Sequence, residues 1–255
     1  KSDMSTFQEL LEKMGLKGHK ENTEALGFSE RMKKMFHMKE KFAEIPEKEV
    51  LTEILQSDME NIRGTMESLD KDTFSMAAEL IQNAKKIYIV GIRSCEPLAD
   101  FLGFYLNMLF DEVHVVRTNS ASEIFEQLMR IGAGDVLIGI SFPKYSMRTV
   151  KAMELANSRS AGVISITDSI HSPLNLYSSC NLIARSEMAS VVDSLTAPLS
   201  VINALIVALC LKNQDSLKQS IETLDQLYDD YQIYGRDEMD PSGGEIEIFH
   251  QGSRV

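Results

Sequence analysis

From Asp135 to Thr149 the chain reads DVLIGISFPKYSMRT: an apolar run, then a polar turn, then the opening of a helical stretch. Val136-Leu137-Ile138-Gly139-Ile140 suits a strand buried on both faces and is too short for a core helix. Ser141 to Ser146 forms the turn, and Met147–Ser158 reads as the helix. The same unit recurs on either side. Ile87-Tyr88-Ile89-Val90 ends at Gly91, which permits a tight turn, and precedes a helix from Glu96 or Pro97 to Leu109. Glu112–Val116 precedes a helix over Ser122–Arg130, Gly162–Thr167 is a further strand, and Asn181–Ala184 is a candidate fifth before the long apolar helix Leu195–Lys212. Strands alternating with helices predict an α/β fold with a mostly parallel sheet covered on both faces.

The front of the chain is helical in pattern throughout. Phe7, Leu10, Leu11 and Met14 recur at helical spacing from Asp3 to Met14, with Asp3 or Ser5 able to cap and Gly15 able to end the helix. Residues 28–45 are a second helical stretch, rich in Lys and Met, stopped near Pro46. A third runs from Glu47 to Leu69, where Val50, Ile54, Met59, Ile62 and Met66 form a broken apolar stripe. Asp72 is placed to cap a fourth, from Thr73 to Asn83. At the other end, Tyr234–Val255 is polar apart from Ile246–Phe249, which is either an edge strand or a loose end.

Charge is unevenly distributed over the 255 residues. Residues 1–50 hold ten Lys/Arg and ten Asp/Glu, so the formal net charge of -12 falls entirely on the remainder. An acidic body repels a polyanion, which leaves the N-terminal region for any nucleic-acid contact. Cys95, Cys180 and Cys210 are too few and too scattered for a disulfide framework or a metal site, and the five histidines add no ligand spacing. Neither Gly-x-Gly-x-x-Gly nor a phosphate-binding loop of NTPase type occurs, so no cofactor is expected. The apolar run Val201–Leu211 contains Asn203 and is too short to span a bilayer. With no signal or transit segment in front, a cytoplasmic, membrane-free protein is expected, with further residues upstream of Lys1.

Ligands of parallel α/β sheets sit at the carboxyl ends of the strands, where three loops carry suitable chemistry. In the first, Arg93 is able to clamp a phosphate or carboxylate, beside Ser94 and Cys95. Glu96 either accepts from sugar hydroxyls or only improves the first turn of its helix. In the second, Ser141, Ser146 and Thr149 offer hydroxyls at a helix N-terminus, whose free N–H groups suit an anion. Lys144 and Arg148 add charge or face solvent, Tyr145 lies between, and Ser146 serves either as ligand contact or as ordinary N-cap. In the third, Asp168 ties down its own loop, and His171 is an acid/base, a donor to ligand, or a surface residue.

Taken together these segments resemble the MurR/RpiR family of bacterial transcriptional regulators, which join a helix-turn-helix head to a sugar isomerase (SIS) domain. The resemblance rests on Ile89–Ser94, Ile140–Ser146 with Thr149, Ile166–Ser169 with Ser172-Pro173-Leu174, and Asp193-Ser194-Leu195 with Ala197-Pro198-Leu199. It implies a doubly wound, five-stranded parallel sheet flanked by helices and preceded by an all-helical segment. Ser141 and Thr149 resemble the ends of the family's Ser-x-Ser-Gly-x-Thr phosphate motif, with a longer loop between them, and Cys95 falls where many relatives have a phosphate-binding Ser. The implied partition is a partial DNA-binding head over 1–45, a linker helix over 46–70, the SIS domain over 71–233 and a tail over 234–255. Residues 3–18 resemble a recognition helix and its turn, in which Thr6 and Gln8 would read bases while Lys13, Lys17 and Lys20 meet phosphates. Glu9 departs from the usual Arg, and the helices that should precede the recognition helix are absent, so this stretch alone is expected to bind DNA poorly.

The expected function is a metabolite-responsive regulator, not an enzyme. It would bind a phosphorylated sugar or sugar acid, act as a homodimer or tetramer, and meet its DNA operator in the full-length protein; the helices Thr73–Asn83 and Leu195–Leu211 are either the subunit face or ordinary core. The alternatives are a phosphosugar aldose–ketose isomerase, with His171, Glu96 or Glu123 as base, and a sugar-phosphate-binding protein without DNA function. If Ser141 and Ser146 hold the phosphate, Ser141→Ala and Ser146→Ala should each weaken a phosphorylated ligand by about 1–3 kcal/mol. The unphosphorylated sugar should lose less. Calorimetry with both ligands checks this, and equal losses for the two would count against a phosphate role.

Overall fold

A computed structural model describes residues 46–117, 121–187 and 193–231. Within them, β1 (Ile87–Gly91), β2 (Val113–Val115), β3 (Val136–Ile140), β4 (Gly162–Thr167) and β5 (Cys180–Ile183) form one sheet of order β2-β1-β3-β4-β5. Every neighbouring pair is parallel. The helices are α1 (Glu47–Ser68), α2 (Lys71–Gln82), α3 (Glu96–Leu106), α4 (Ala121–Gln127), α5 (Met147–Ser158), α6 (Thr196–Lys212) and α7 (Gln214–Tyr231). The strands, the α5 boundaries and the doubly wound order agree with expectation. Helix α7 had no counterpart in the reading of the sequence.

Strand side chains alternate between two cores, as the period of two requires. Ile87, Ile89, Ile138, Ile140, Ile164 and Ile166 face one core, closed by α2, α3 and α6. Tyr88, Val90, Leu137 and Val163 face the other, closed by α4 and α5. The chain therefore leaves β1 toward one face and the neighbouring strand β3 toward the opposite face. That divergence opens a crevice between the β1 and β3 exits.

Helix α1 binds the domain by its polar side. Asn61 and Thr65 are its buried side chains beside Gly64, whereas Leu51, Leu55, Met59 and Met66 are more than half exposed. Asn61 Nδ2 donates to Glu187 O at 3.1 Å and Asn61 Oδ1 accepts from Glu187 N–H at 3.0 Å. Thr65 Oγ1 accepts from Arg185 N–H at 2.8 Å, and the Asp58 carboxylate accepts from Ser194 Oγ at 2.5 Å and Thr196 Oγ1 at 2.9 Å. The broken stripe read from the sequence thus divides: Val50 and Ile54 turn partly inward, while Met59, Ile62 and Met66 face out.

Two local expectations are corrected. Asp70, not Asp72, caps α2: its carboxylate accepts from Thr73 N–H at 2.8 Å and from Thr73 Oγ1 at 2.5 Å. Those bonds stabilise the ionised form and hold the Asp70 carboxyl below the usual carboxylate range. An acid three residues before its target N–H can close the cap, and Asp72 lies inside the first turn instead. Gly91 was read as permitting a tight turn, yet its φ is not positive. Its lack of a side chain matters for space, because a Cβ there would overlap the Cys95 carbonyl oxygen and crowd the Ala99 Cβ. Gly91→Ala should therefore cost about 1–3 kcal/mol of stability by overpacking and displace the Arg93–Cys95 turn. An unchanged midpoint in urea denaturation would refute this.

Candidate functional site

The crevice is built by the loops that leave β1, β3 and β4. In the first, Ile92 ends the extended chain and Arg93–Cys95 forms a single 3₁₀ turn, closed by Cys95 N–H donating to Ile92 O at 3.3 Å. Arg93, Ser94 and Glu96 are exposed, and Cys95 is buried. In the second, Ser146 N–H donates to Ser141 Oγ at 3.0 Å, which folds Ser141–Ser146 back on itself and fixes where α5 begins. Phe142 is buried in the α3/α6-side core, whereas Tyr145 packs against the α4/α5-side core together with Ile92. The β3 exit loop thus straddles the sheet edge and meets the β1 exit loop on both sides.

Backbone strain marks the same two loops. Arg93 has φ 60° and Lys144 φ 67°; among the described residues only Ser160, at the turn after α5, shares this left-handed conformation without being glycine. Each such residue costs on the order of 1 kcal/mol and persists where surrounding contacts over-determine it. Cys95 and Phe142 supply such a contact. The Phe142 N–H and the Ser94 hydroxyl both reach the Cys95 sulfur. Burial nevertheless pushes the Cys95 thiol above the ordinary thiol range, and the Asp193 carboxylate adds to the rise.

The third loop joins through a side chain. Tyr145 Oη donates to Asp168 Oδ1 at 2.8 Å, linking the β3 and β4 exits, and Thr167 Oγ1 lies 3.4 Å from the same oxygen. Asp168, expected to serve its own loop, therefore reaches across to another. The β4 exit is held internally by Ser172 Oγ, which accepts from Thr167 Oγ1 at 2.8 Å, and by Asn175 Nδ2, which donates to Ser169 O at 3.0 Å. His171 is exposed, with its N–H donating to Ser169 Oγ at 3.1 Å.

The N-terminus of α5 combines three features that suit an anion. Ser146 occupies the N-cap position, yet its side chain makes no capping hydrogen bond, contrary to the ordinary-cap alternative. Ser141 is buried, with its oxygen accepting the Ser146 N–H. Thr149 is fully buried, and its Oγ1 has no hydrogen-bond partner. A buried hydroxyl without a partner is uncommon in folded proteins, because it forfeits its hydrogen bonds to water. Here the orphan lies one turn into a helix whose first N–H groups are themselves unpaired. Lys144 and Arg148 are exposed.

The predicted residues thus fall into two sets. Cys95, Ser141, Tyr145, Ser146, Thr149 and Asp168 are tied to the crevice by burial or by bonds between loops, and Arg93, Ser94, Glu96, Lys144 and His171 stand exposed at its rim. The backbone of Phe142 and the hydroxyls of Thr167 and Ser172 were missed as parts of the frame. The alternation of Ser165 and Thr167 along β4 was the only signal that could have pointed to inward hydroxyls. Thr6, Gln8, Lys13, Lys17 and Lys20 lie outside the described residues. Among the described residues there is no group of three or more His, Cys, Asp or Glu able to hold a metal ion, and no single helix is long and apolar enough to cross a membrane.

Comparison with known proteins places this geometry. The chain is 27% identical over 186 residues to an uncharacterized HTH-type transcriptional regulator of Caldanaerobacter subterraneus subsp. tengcongensis, covering 70% of this chain and 64% of that protein. Among solved structures, the sugar isomerase domain of an RpiR transcription factor from Sphaerobacter thermophilus superposes with a TM-score of 0.67 at 23% identity, over 70% of this chain and 99% of the other. The Vibrio vulnificus NanR protein complexed with ManNAc-6P superposes with a TM-score of 0.59 at 19% identity, over 68% of this chain and 67% of the other. At such identities the likeness is one of fold. All three agree with the resemblance read from the loops. Residues 80–208, half of the chain, match the SIS domain, and the protein belongs to the SIS domain family.

Proposed function

We propose that this chain is the effector-binding part of a transcriptional regulator, and that its crevice takes a phosphorylated sugar or sugar acid with the anion at the N-terminus of α5. The observation that carries this reading is the Thr149 hydroxyl, buried without a partner where a helix presents free N–H groups. A phosphate oxygen would accept from Thr149 Oγ1 and from the Ser146 hydroxyl, and the Ser141 hydroxyl keeps its own proton to donate while accepting the Ser146 N–H. Arg93 and Lys144, held at the rim in left-handed conformation, would supply charge, with Ser94 and Glu96 toward sugar hydroxyls. Tyr145 and Asp168, already bonded to each other, would bound the sugar end beside His171.

Several features support a binding module over an isomerase. Proton transfer between two sugar carbons needs a base held against them in a water-poor site. Both His171 and Glu96 are exposed, and among the described residues no hydrogen bond between the loops engages either side chain. The HTH-type relative supports a regulator, and the NanR complex with ManNAc-6P supports a sugar phosphate as the class of effector. On this reading residues 1–45 belong to a DNA-binding head, 46–70 to the linker, 71–233 to the effector domain and 234–255 to a tail. The full-length protein would meet operator DNA in the cytoplasm as a homodimer or tetramer. Helix α6 is suited to the subunit contact, because Thr196–Leu211 carries no charged residue and Val207 and Leu211 are 56% and 66% exposed.

Thr149→Val separates ligand binding from stability. Removing the orphan hydroxyl should raise the melting temperature of the ligand-free protein, since the lost group satisfied nothing there. The same change should weaken sugar phosphates about tenfold, or about 1.4 kcal/mol. Thermal-shift and calorimetric titration against hexose and amino-sugar phosphates, each beside its unphosphorylated sugar, read both effects. Loss of both stability and affinity would point to a structural hydroxyl instead. In the same panel, isomerase assays should show no turnover; activity abolished by His171→Ala would establish the enzyme reading.

A further inference from the structure

We infer that the outward apolar stripe of α1 is a docking surface, and that its occupant is the segment Phe28–Phe42 of the same chain, folded back antiparallel across Pro46. The stripe consists of Leu51 (66% exposed), Leu55 (53%), Met59 (58%), Ile62 (38%) and Met66 (73%). At 100° per residue these five share one side of the helix, over a length of about 22 Å. The flank of α1 beside this stripe is already engaged through Asp58, Asn61 and Thr65, so the stripe cannot turn inward without breaking those bonds. A helix that seats its polar side and exposes its apolar side has a second partner to bury it.

Charge disfavours the simplest alternative, pairing of α1 with α1 of a second copy. The helix carries six acids (Glu47, Glu49, Glu53, Asp58, Glu60, Glu67) against two bases (Lys48, Arg63), for a net charge of -4. Two such helices side by side would repel. Residues 28–45 hold five bases (Arg31, Lys33, Lys34, Lys39, Lys41) against three acids (Glu30, Glu40, Glu44), a net charge of +2. Their apolar residues match the stripe in spacing as well as in kind. With the reversal centred at the Pro46–Glu47 junction, Phe42 falls opposite Leu51 and Met38 opposite Leu55, while Met35 with Met59, Met32 with Ile62 and Phe28 with Met66 lie one residue away from that register. The five pairings agree with a single register to within one residue, about 1.5 Å along the helix.

Connectivity permits that register. Pro46 precedes the first turn of α1 with ψ 141°, an extended conformation that breaks helical continuity at that point. Residues 43–46 would leave a four-residue connection, within the two to five that join antiparallel helices. The methionines on both sides suit an adaptable contact between the linker and whatever precedes it. The N-terminal region would thereby be mounted on α1, and α1 in turn on the segment that opens α6. This arrangement does not depend on the identity of the ligand.

Two measurements on the full chain test it. In Met35→Cys/Met59→Cys, a short bifunctional maleimide should link the two positions within one chain, whereas Met35→Cys/Met147→Cys, which uses an exposed methionine outside α1, should not link. Leu55→Glu/Met59→Glu should increase tryptic cleavage at Arg31, Lys33, Lys34, Lys39 and Lys41 at least tenfold while leaving the melting transition of the domain in place, since both side chains are exposed in it. A cross-link between two chains would assign the stripe to a second copy and overturn the inference. So would absence of the intrachain link, or equal cleavage of the wild type and the variant.

Discussion

The right-handed crossover between parallel strands governs this molecule. A strand followed by a helix and a parallel strand must wind one way, so moving outward from β1 to β2 places α3 on one face of the sheet. Moving back across β1 to β3 and on to β4 places α4 and α5 on the other. Adjacent strands β1 and β3 therefore send their chains apart. Around the gap lie the strained turn at Arg93, the folded loop Ser141–Ser146, and Asp168 held by Tyr145.

That gap is energetically expensive in the absence of a guest, and the expense is concentrated. Two residues outside glycine adopt left-handed backbone, a fully buried hydroxyl has no partner, and an N-cap serine leaves its helix uncapped. Each feature works against stability by an amount on the order of 1 kcal/mol. Elsewhere the same kinds of group are satisfied: Ser165 Oγ lies within hydrogen-bond distance of Asn175 and Asn181, Thr167 donates to Ser172, and Asp70 caps α2. The polar groups of the frame are satisfied, whereas Thr149 and the Ser146 cap at the strand exits are left open.

Helix α1 poses the opposite problem. Polar groups hold it to the domain and its apolar residues look outward, so its attachment is specific in direction but limited in area. Hydrogen bonds to Asp58, Asn61 and Thr65 position the helix against Arg185–Glu187 and Ser194–Thr196, which flank the last turn into α6. A helix seated in this way is fixed in direction by few, directional bonds without forming a core of its own.

The sequence by itself determined what depends on neighbours along the chain. The run Val136–Ile140 reads as a buried strand, the residues from Met147 onward as a helix, and hydroxyls and bases gather at the strand ends. Periodicity reports which residues share a side, but not which side faces in. For α1 it named Met59, Ile62 and Met66 as one stripe and was silent that Asn61 and Thr65 would be buried in its place. The tertiary structure alone decided the contacts between distant residues: Cys95 with Phe142, Tyr145 with Asp168 across 23 positions, and Asp58 with Ser194 across 136. Such contacts follow from strand order and crossover hand, which arrange the loops in space without leaving a local pattern in the residues that meet.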